Sequence, residues 1–179
     1  MANEKKLDCV ILGLLHDEDL TGYEIKKRMD STLSLFWGAS YGSIYPTLRL
    51  LEENGLATKT ETEENGRTKK VYAITEKGRM HLKQWLSLPV EKDEIRYETL
   101  LKLFFGESVG PGLSVKHIES FEKKIKQKMP YLVSSIDILE KNTGQDAAHI
   151  YYLLTAKFGI KVFNAYLEWC EEAKSILGE

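Results

Sequence analysis

The sequence predicts a mainly α protein with one small β-hairpin, divided into a mixed N-terminal part and an all-helical C-terminal part. Three observations predict it. Up to about residue 85, short helical patterns with apolar spacings of three and four surround a single stretch that is rich in Thr and ends in the β-branched and aromatic run at 71–75. That stretch is divided by Asn65-Gly66, the dipeptide that two-residue hairpin turns favour. Beyond Pro89 and the charged run at 91–94, apolar residues recur at threes and fours over long stretches, as in coiled coils. The boundary is therefore expected between domains 1–88 and 89–179.

The first helix rests on Leu7, Val10, Ile11, Leu14 and Leu15, which share one face, and polar residues from His16 to Asp19 end it. Thr21 with Glu24 three residues on is a capping-box pair that opens a second helix through Ile25 to about Met29. Lys26, Lys27 and Arg28 fall around its outer surface. A third helix covers roughly 40–54, with Ile44, Leu48 and Leu51 on one face and Gly55 placed for a left-handed C-cap after Asn54. Pro46 leaves its start open. With Ser43 as N-cap the proline lies in the first turn and costs nothing; with Ser40 as N-cap it lies further in and should kink the helix.

Two strands follow, at 56–63 and 71–75, and Thr75 caps a helix carrying Met80, Leu82, Trp85 and Leu86. In the second part, 95–105 reads as a helix ended by the Gly110-Pro111-Gly112 turn. Ile118, Phe121, Ile125, Met129, Leu132, Ile136 and Leu139 then form one stripe, which Pro130 should bend or split. Ile150, Leu154, Phe158, Val162, Ala165, Trp169, Ala173 and Ile176 form a second stripe.

Composition excludes several classes. The 179 residues carry 25 basic and 27 acidic side chains, a formal charge of −2, so bulk positive charge does not coat nucleic acid. Cys9 and Cys170 belong to no CxxC pair, which argues against a disulfide framework and a thiolate zinc site. The short apolar run at 9–15 lacks signal-peptide grammar and cannot span a bilayer, so a cytoplasmic protein is expected. No GxSxG, HExxH or GxxxxGK is present and the four histidines are scattered, so neither an enzyme nor a cofactor is expected.

Helix, helix, helix, hairpin, helix is the order of a winged helix-turn-helix, whose third helix can enter the major groove while the hairpin tip reaches phosphates. The residues of the third helix free for that task are Ser40, Tyr41, Ser43, Tyr45, Thr47 and Arg49, and the hairpin tip offers Arg67, Lys69 and Lys70. Against this, Arg49 has Glu52 and Glu53 within its own helix, and Glu61, Glu63 and Glu64 flank the tip. A winged helix used as a protein-interaction module, without specific DNA binding, stays open.

The run Tyr41-Gly-Ser-Ile-Tyr-Pro-Thr-Leu-Arg-Leu-Leu-Glu-Glu-Asn-Gly-Leu56 resembles the recognition helix of PadR-family transcriptional regulators. The resemblance extends through Ile11-Leu-Gly-Leu-Leu15, Thr21-Gly-Tyr-Glu-Ile25 and Gly66-Arg-Thr-Lys-Lys-Val-Tyr-Ala-Ile-Thr-Glu-Lys-Gly78. Asp93-Glu-Ile-Arg-Tyr-Glu-Thr-Leu-Leu-Lys-Leu-Phe-Phe105 is similar to the helical C-terminal domain of the family's long forms, and Phe36-Trp37 to its AphA-like branch. The resemblance implies a homodimeric repressor, less often an activator, whose C-terminal helices exchange between subunits, acting on a palindromic operator in double-stranded DNA. It also implies that Ser43, Tyr45 and Pro46 lie at the DNA-facing start of the recognition helix and Arg67 to Lys70 on the wing. Several family members respond to small aromatic molecules; Phe36, Trp37, Trp85, Tyr97, Tyr152 and Trp169 are the candidates here for lining such an effector pocket.

Overall fold

The computed structural model describes residues 6–33, 36–37, 40–64, 67–91, 93, 96–142, 144 and 147–178, with the side chains of residues 64 and 67 left out. The chain forms two compact units, Met1–Lys92 and Asp93–Glu179.

In the first unit, α1 (Leu7–Leu14) buries Leu7, Cys9, Ile11 and Leu12. A two-residue strand β1 (Leu20–Thr21) then leads directly into α2 (Gly22–Arg28). The capping box is formed: the Glu24 amide donates to Thr21 Oγ1 at 3.2 Å, and the Thr21 amide donates to Glu24 Oε2 at 2.8 Å. The Thr21 hydroxyl also donates to Glu24 Oε2, at 2.7 Å, and the two bonds that the carboxylate accepts from Thr21, the amide's first, hold the Glu24 carboxyl below its ordinary range. A π-helical turn, Met29–Leu33, ends this segment.

Helix α3 (Tyr41–Glu53) has Ser40 as N-cap, which decides between the two starts that the sequence allows. Pro46 therefore lies inside the helix, beyond its first turn, and the Gly42 carbonyl has no amide four residues on to accept from. The helix continues past it without interruption. Its far end closes as a Schellman motif: Gly55 at φ 67° donates to Glu52 O at 3.0 Å, and Leu56 donates to Leu51 O at 2.8 Å.

Strands β2 (Ala57–Glu64) and β3 (Arg67–Ile74) pair in antiparallel register from Ala57 opposite Ile74 to Glu64 opposite Arg67. The expected Asn65-Gly66 turn lies outside the described residues. β1 adds to the other side of β3, Leu20 opposite Tyr72, making a three-stranded sheet where the sequence suggested a two-stranded hairpin. Helix α4 (Glu76–Leu86) is capped by Thr75, whose hydroxyl accepts from the Gly78 amide at 3.0 Å and donates to Gly55 O at 2.8 Å. One apolar core holds the unit: Ile11, Leu12, Ile25, Met29, Ile44, Leu48 and Leu51 are at most 1% exposed.

The second unit is helical. It comprises α5 (Glu98–Phe104), a 3-10 turn at Gly106–Ser108, α6 (Pro111–Lys141) and α7 (Ala147–Ile176). Gly110 at φ 79° and Pro111 in the first turn start α6. Of the two outcomes expected at Pro130, a bend or a split, the split does not occur: α6 runs through it for 31 residues. α6 and α7 form an antiparallel hairpin, tied by Lys157–Glu140 at 2.6 Å near one end and Lys174–Glu122 at 2.9 Å towards the other. The buried α7 residues of this unit are Leu153, Gly159, Phe163 and Cys170, not the stripe expected from sequence. From that stripe, Ile150, Leu154, Phe158 and Ile176 are exposed. Among the described residues no helix is long and apolar enough to cross a membrane.

Candidate nucleic-acid interface

Helix α3 is divided sharply by burial. Ile44, Leu48 and Leu51 face the core, while Ser40, Tyr41, Tyr45, Pro46 and Arg49 are exposed and Ser43 and Thr47 are half-buried. This follows from the 3.6-residue period, which sends the apolar positions to one side and the hydroxyl-bearing ones to the other.

The exposed side is pre-arranged. Tyr41 and Tyr45, one turn apart, stack with ring centroids 6.5 Å apart and an 18° interplanar angle. Lys26 of α2, itself paired with Asp30, stands 5.4 Å over the Tyr41 ring in a cation–π contact. Tyr45 packs over Gly22, where an added Cβ would lie 2.7 Å from Tyr45 Cε1. The sequence does not single out Gly22; its proximity to Tyr45 is a tertiary fact.

Ser43 Oγ donates to Ser40 O at 2.9 Å and Thr47 Oγ1 donates to Ser43 O at 2.8 Å, so both hydroxyl protons are engaged within the helix. What these two groups present outward is acceptor capacity. Arg49 Nε donates to Glu53 Oε1 at 2.8 Å, on a side chain pair that is mostly solvent-exposed, and this bond raises the Arg49 pKa further. That bond uses one of the five guanidinium donors, so an anion that takes Arg49 does so beside the Glu53 carboxylate.

The wing is electrically balanced across its strands. Lys70 is opposite Glu61 with Nζ 4.0 Å from Oε1, and Lys69 is opposite Thr62. Arg67 is opposite Glu64; its side chain lies outside the described residues. Lys69 also acts electrostatically on Glu24.

The aromatic residues singled out for an effector fall in both units. Trp37 and Trp85 are half-buried against the core of the first unit, and Phe36 is 52% exposed. In the second unit Tyr97 and Trp169 both meet Phe121, at centroid distances of 5.9 and 6.2 Å, and Tyr166 completes the group. The Tyr97 and Tyr166 hydroxyls share a hydrogen bond. Burial first, and then that bond, push the Tyr166 phenol up to about 12. Tyr152 is exposed, with its ring 6.5 Å from that of His149.

Comparison with known proteins agrees with this architecture over most of the chain. Residues 11–84 match the transcriptional regulator PadR-like family, and residues 95–178 match the virulence activator alpha C-terminal family. The solved structure of smu.1604c from Streptococcus mutans superposes with a TM-score of 0.82 at 31% identity, covering 92% of this chain and 96% of that one. Bacillus subtilis PadR, a negative transcriptional regulator, has been solved in complex with operator DNA. In that form it superposes at a TM-score of 0.76 with 28% identity, over 96% of this chain and 98% of that one. It has also been solved with p-coumaric acid, at a TM-score of 0.70 and 25% identity, over 97% and 99% of the two chains. The virulence activator AphA of Vibrio cholerae gives a TM-score of 0.71 at 25% identity, over 96% and 97% of the chains. With both halves of the chain matched in their order along the sequence, this protein belongs to the PadR-like family of transcriptional regulators.

Proposed function

We propose that the protein is a sequence-specific DNA-binding repressor that acts as a homodimer on a palindromic operator and is released by a small aromatic ligand. The observation that carries DNA recognition is the exposed face of α3. Ser40, Tyr41, Tyr45, Pro46 and Arg49 stand on a helix whose opposite side is fully buried, so the helix can enter a major groove without disturbing the core. Arg49 suits a guanine edge or a phosphate, and the tyrosine hydroxyls suit phosphate oxygens. Lys69 and Lys70 supply backbone contacts from the wing.

Dimerisation is supported by surface that one chain leaves uncovered. Helix α5 has no buried residue, and Leu101, Phe104 and Phe105 are 60%, 84% and 64% exposed. Ile150, Tyr151, Leu154 and Phe158 add an exposed apolar run on α7. Apolar surface on this scale is what a second subunit buries. Two copies would present two α3 helices to half-sites one helical turn, about 34 Å, apart. The repressor and effector readings rest on the likeness to Bacillus subtilis PadR, and the Tyr97–Phe121–Tyr166–Trp169 group is the aromatic surface that supports them in this chain.

The test is fluorescence anisotropy on the DNA upstream of the protein's own gene against an equal-length scrambled duplex, each at two salt concentrations. Preferential binding to the upstream duplex, with steep salt dependence, supports the reading. Absence of binding to either at low salt would favour the protein-interaction module, which the Glu61–Lys70 pairing on the wing also suits.

A further inference from the structure

Helices α1 and α4 bring together three donor side chains that lie far apart in the chain. Asp8 and Cys9 are in the first turn of α1 and His81 is in α4, and one donor atom from each lies within 4.8 Å of the other two. His81 Nε2 is already 3.5 Å from Asp8 Oδ2. The other carboxylate oxygen, Asp8 Oδ1, is buried and has no hydrogen-bond partner among the described residues. A buried carboxylate oxygen without a partner is unfavourable, and a cation would satisfy it.

We propose that Asp8, Cys9 and His81 form a binding site for a divalent transition-metal ion of the zinc class, with water completing the coordination. The donor set selects the class. Thiolate and imidazole suit zinc and its first-row neighbours, whereas magnesium and calcium take oxygen donors. A tetrahedral ion holds N, O and S donors about 3.3–3.6 Å apart, so the pair of Asp8 and His81 is at that spacing and closure of the set needs about an ångström of side-chain rotation. Asp8 and His81 are 35% and 41% exposed at their side chains and give an ion access, while Cys9 lies beneath them at 3% exposure. As the metal–sulfur bond forms, the S–H bond of Cys9 breaks and its proton passes to solvent; no oxidation state changes. The bound ion ties α1 to α4 directly, and α1 in turn packs on α3.

Sequence spacing gave no sign of this site, because the family of motifs read from sequence requires ligands near one another along the chain. The test is titration of the full chain with Co2+, followed by competition with Zn2+. A near-ultraviolet sulfur-to-cobalt charge-transfer band that Zn2+ abolishes is expected, and C170S should retain it. Outer contacts to metal ligands are worth about 10–100-fold in affinity, so D8N and H81Q, which remove or weaken direct ligands, should each weaken binding at least about tenfold. C9S should abolish the band; because Cys9 is buried, its fold is checked by circular dichroism, and D8N and H81Q, both partly exposed, keep the test decisive if C9S does not fold. No band, a band lost in C170S, or a titration that D8N and H81Q leave unchanged would each overturn the proposal and leave a simple Asp8–His81 ion pair.

Discussion

Gly78 shows how much of the first unit depends on the absence of one carbon. An added Cβ there would stand 2.1 Å from Leu56 O, a backbone atom fixed by the Schellman closure of α3 and the start of β2. Neither side can move without disturbing α4 or the end of α3. Gly78→Ala is expected to destabilise the unit by about 3 kcal/mol, the upper end of overpacking costs, read by thermal or urea denaturation. Gly22→Ala meets a different neighbour: the near atom belongs to the Tyr45 ring, which can swing away. Its main effect should be on DNA, with several-fold weaker operator binding at nearly unchanged stability, measured by anisotropy. The wing is the other place where single residues decide. With the Glu61 carboxylate 4.0 Å from the Lys70 ammonium, Glu61→Gln should free that lysine and tighten DNA binding several-fold, while Lys70→Ala weakens it and lowers the log–log salt slope by about one. Unchanged slopes in both variants would remove Lys70 from the phosphate contacts.

Among the elements, the helix pair α6–α7 carries a testable electrostatic lock. Glu122 is 7% exposed and bonded by Lys126 and Lys174, and those two bonds hold its carboxyl down to about 2. A carboxyl whose folded-state value is depressed stabilises the fold above its unfolded value near 4.5, and that stability is lost as pH falls towards 2. Lys126 is 60% exposed, so solvent screens part of the interaction. Glu122→Gln should therefore cost about 1 kcal/mol at neutral pH, with the difference from the parent protein vanishing in acid; a difference independent of pH would show that the charge is not the cause. The elements also show what a sequence makes readable. Thr21 with Glu24, Thr75, and Asn54-Gly55 were legible because capping chemistry is local: each signal and its partner lie within four residues. Strand β1 was not, since two residues have no period and Leu20–Thr21 is a strand only because β3 lies beside it. The start of α3 was undecidable from sequence because Ser40 and Ser43 are both acceptable caps; in the structure the Ile44 amide donates to Ser40 O at 3.2 Å, which puts Ser43 inside the helix. At the candidate interface, the exposed residues of α3 followed from period alone, whereas the Gly22–Tyr45 approach and the Lys26–Tyr41 contact arise between helices.

At the scale of the whole molecule, α7 carries two apolar stripes and a single chain covers one. Leu153, Gly159, Phe163 and Cys170 are buried, yet Ile150, Leu154 and Phe158 follow the same helical period about a third of a turn away and remain exposed. This is why the sequence singled out a stripe on this helix but could not say which surface it covers: both faces are apolar, and hydrophobic spacing does not name the partner. Helix α5 makes the same point more strongly, for an amphipathic segment with no buried residue has little reason to be helical alone, where isolated helices of this length are marginal. Its apolar residues need a surface from elsewhere, and the second copy of the proposed homodimer would supply one and set two α3 helices in a fixed relation. Placing a charge there should separate assembly from folding. Phe104, at 84% exposure, contributes little to its own chain, so Phe104→Glu is expected to leave circular dichroism unchanged. Burying a phenylalanine is worth about 1.5–3 kcal/mol, so the same variant should weaken self-association at least about tenfold by analytical ultracentrifugation. Operator affinity should fall with it, because each monomer then reads a half-site alone, while affinity for a single half-site duplex stays that of the parent. A dimer undiminished by Phe104→Glu would show that α5 faces solvent in the assembled protein. A monomer that still bound the full operator as tightly as the parent would break the link between assembly and recognition.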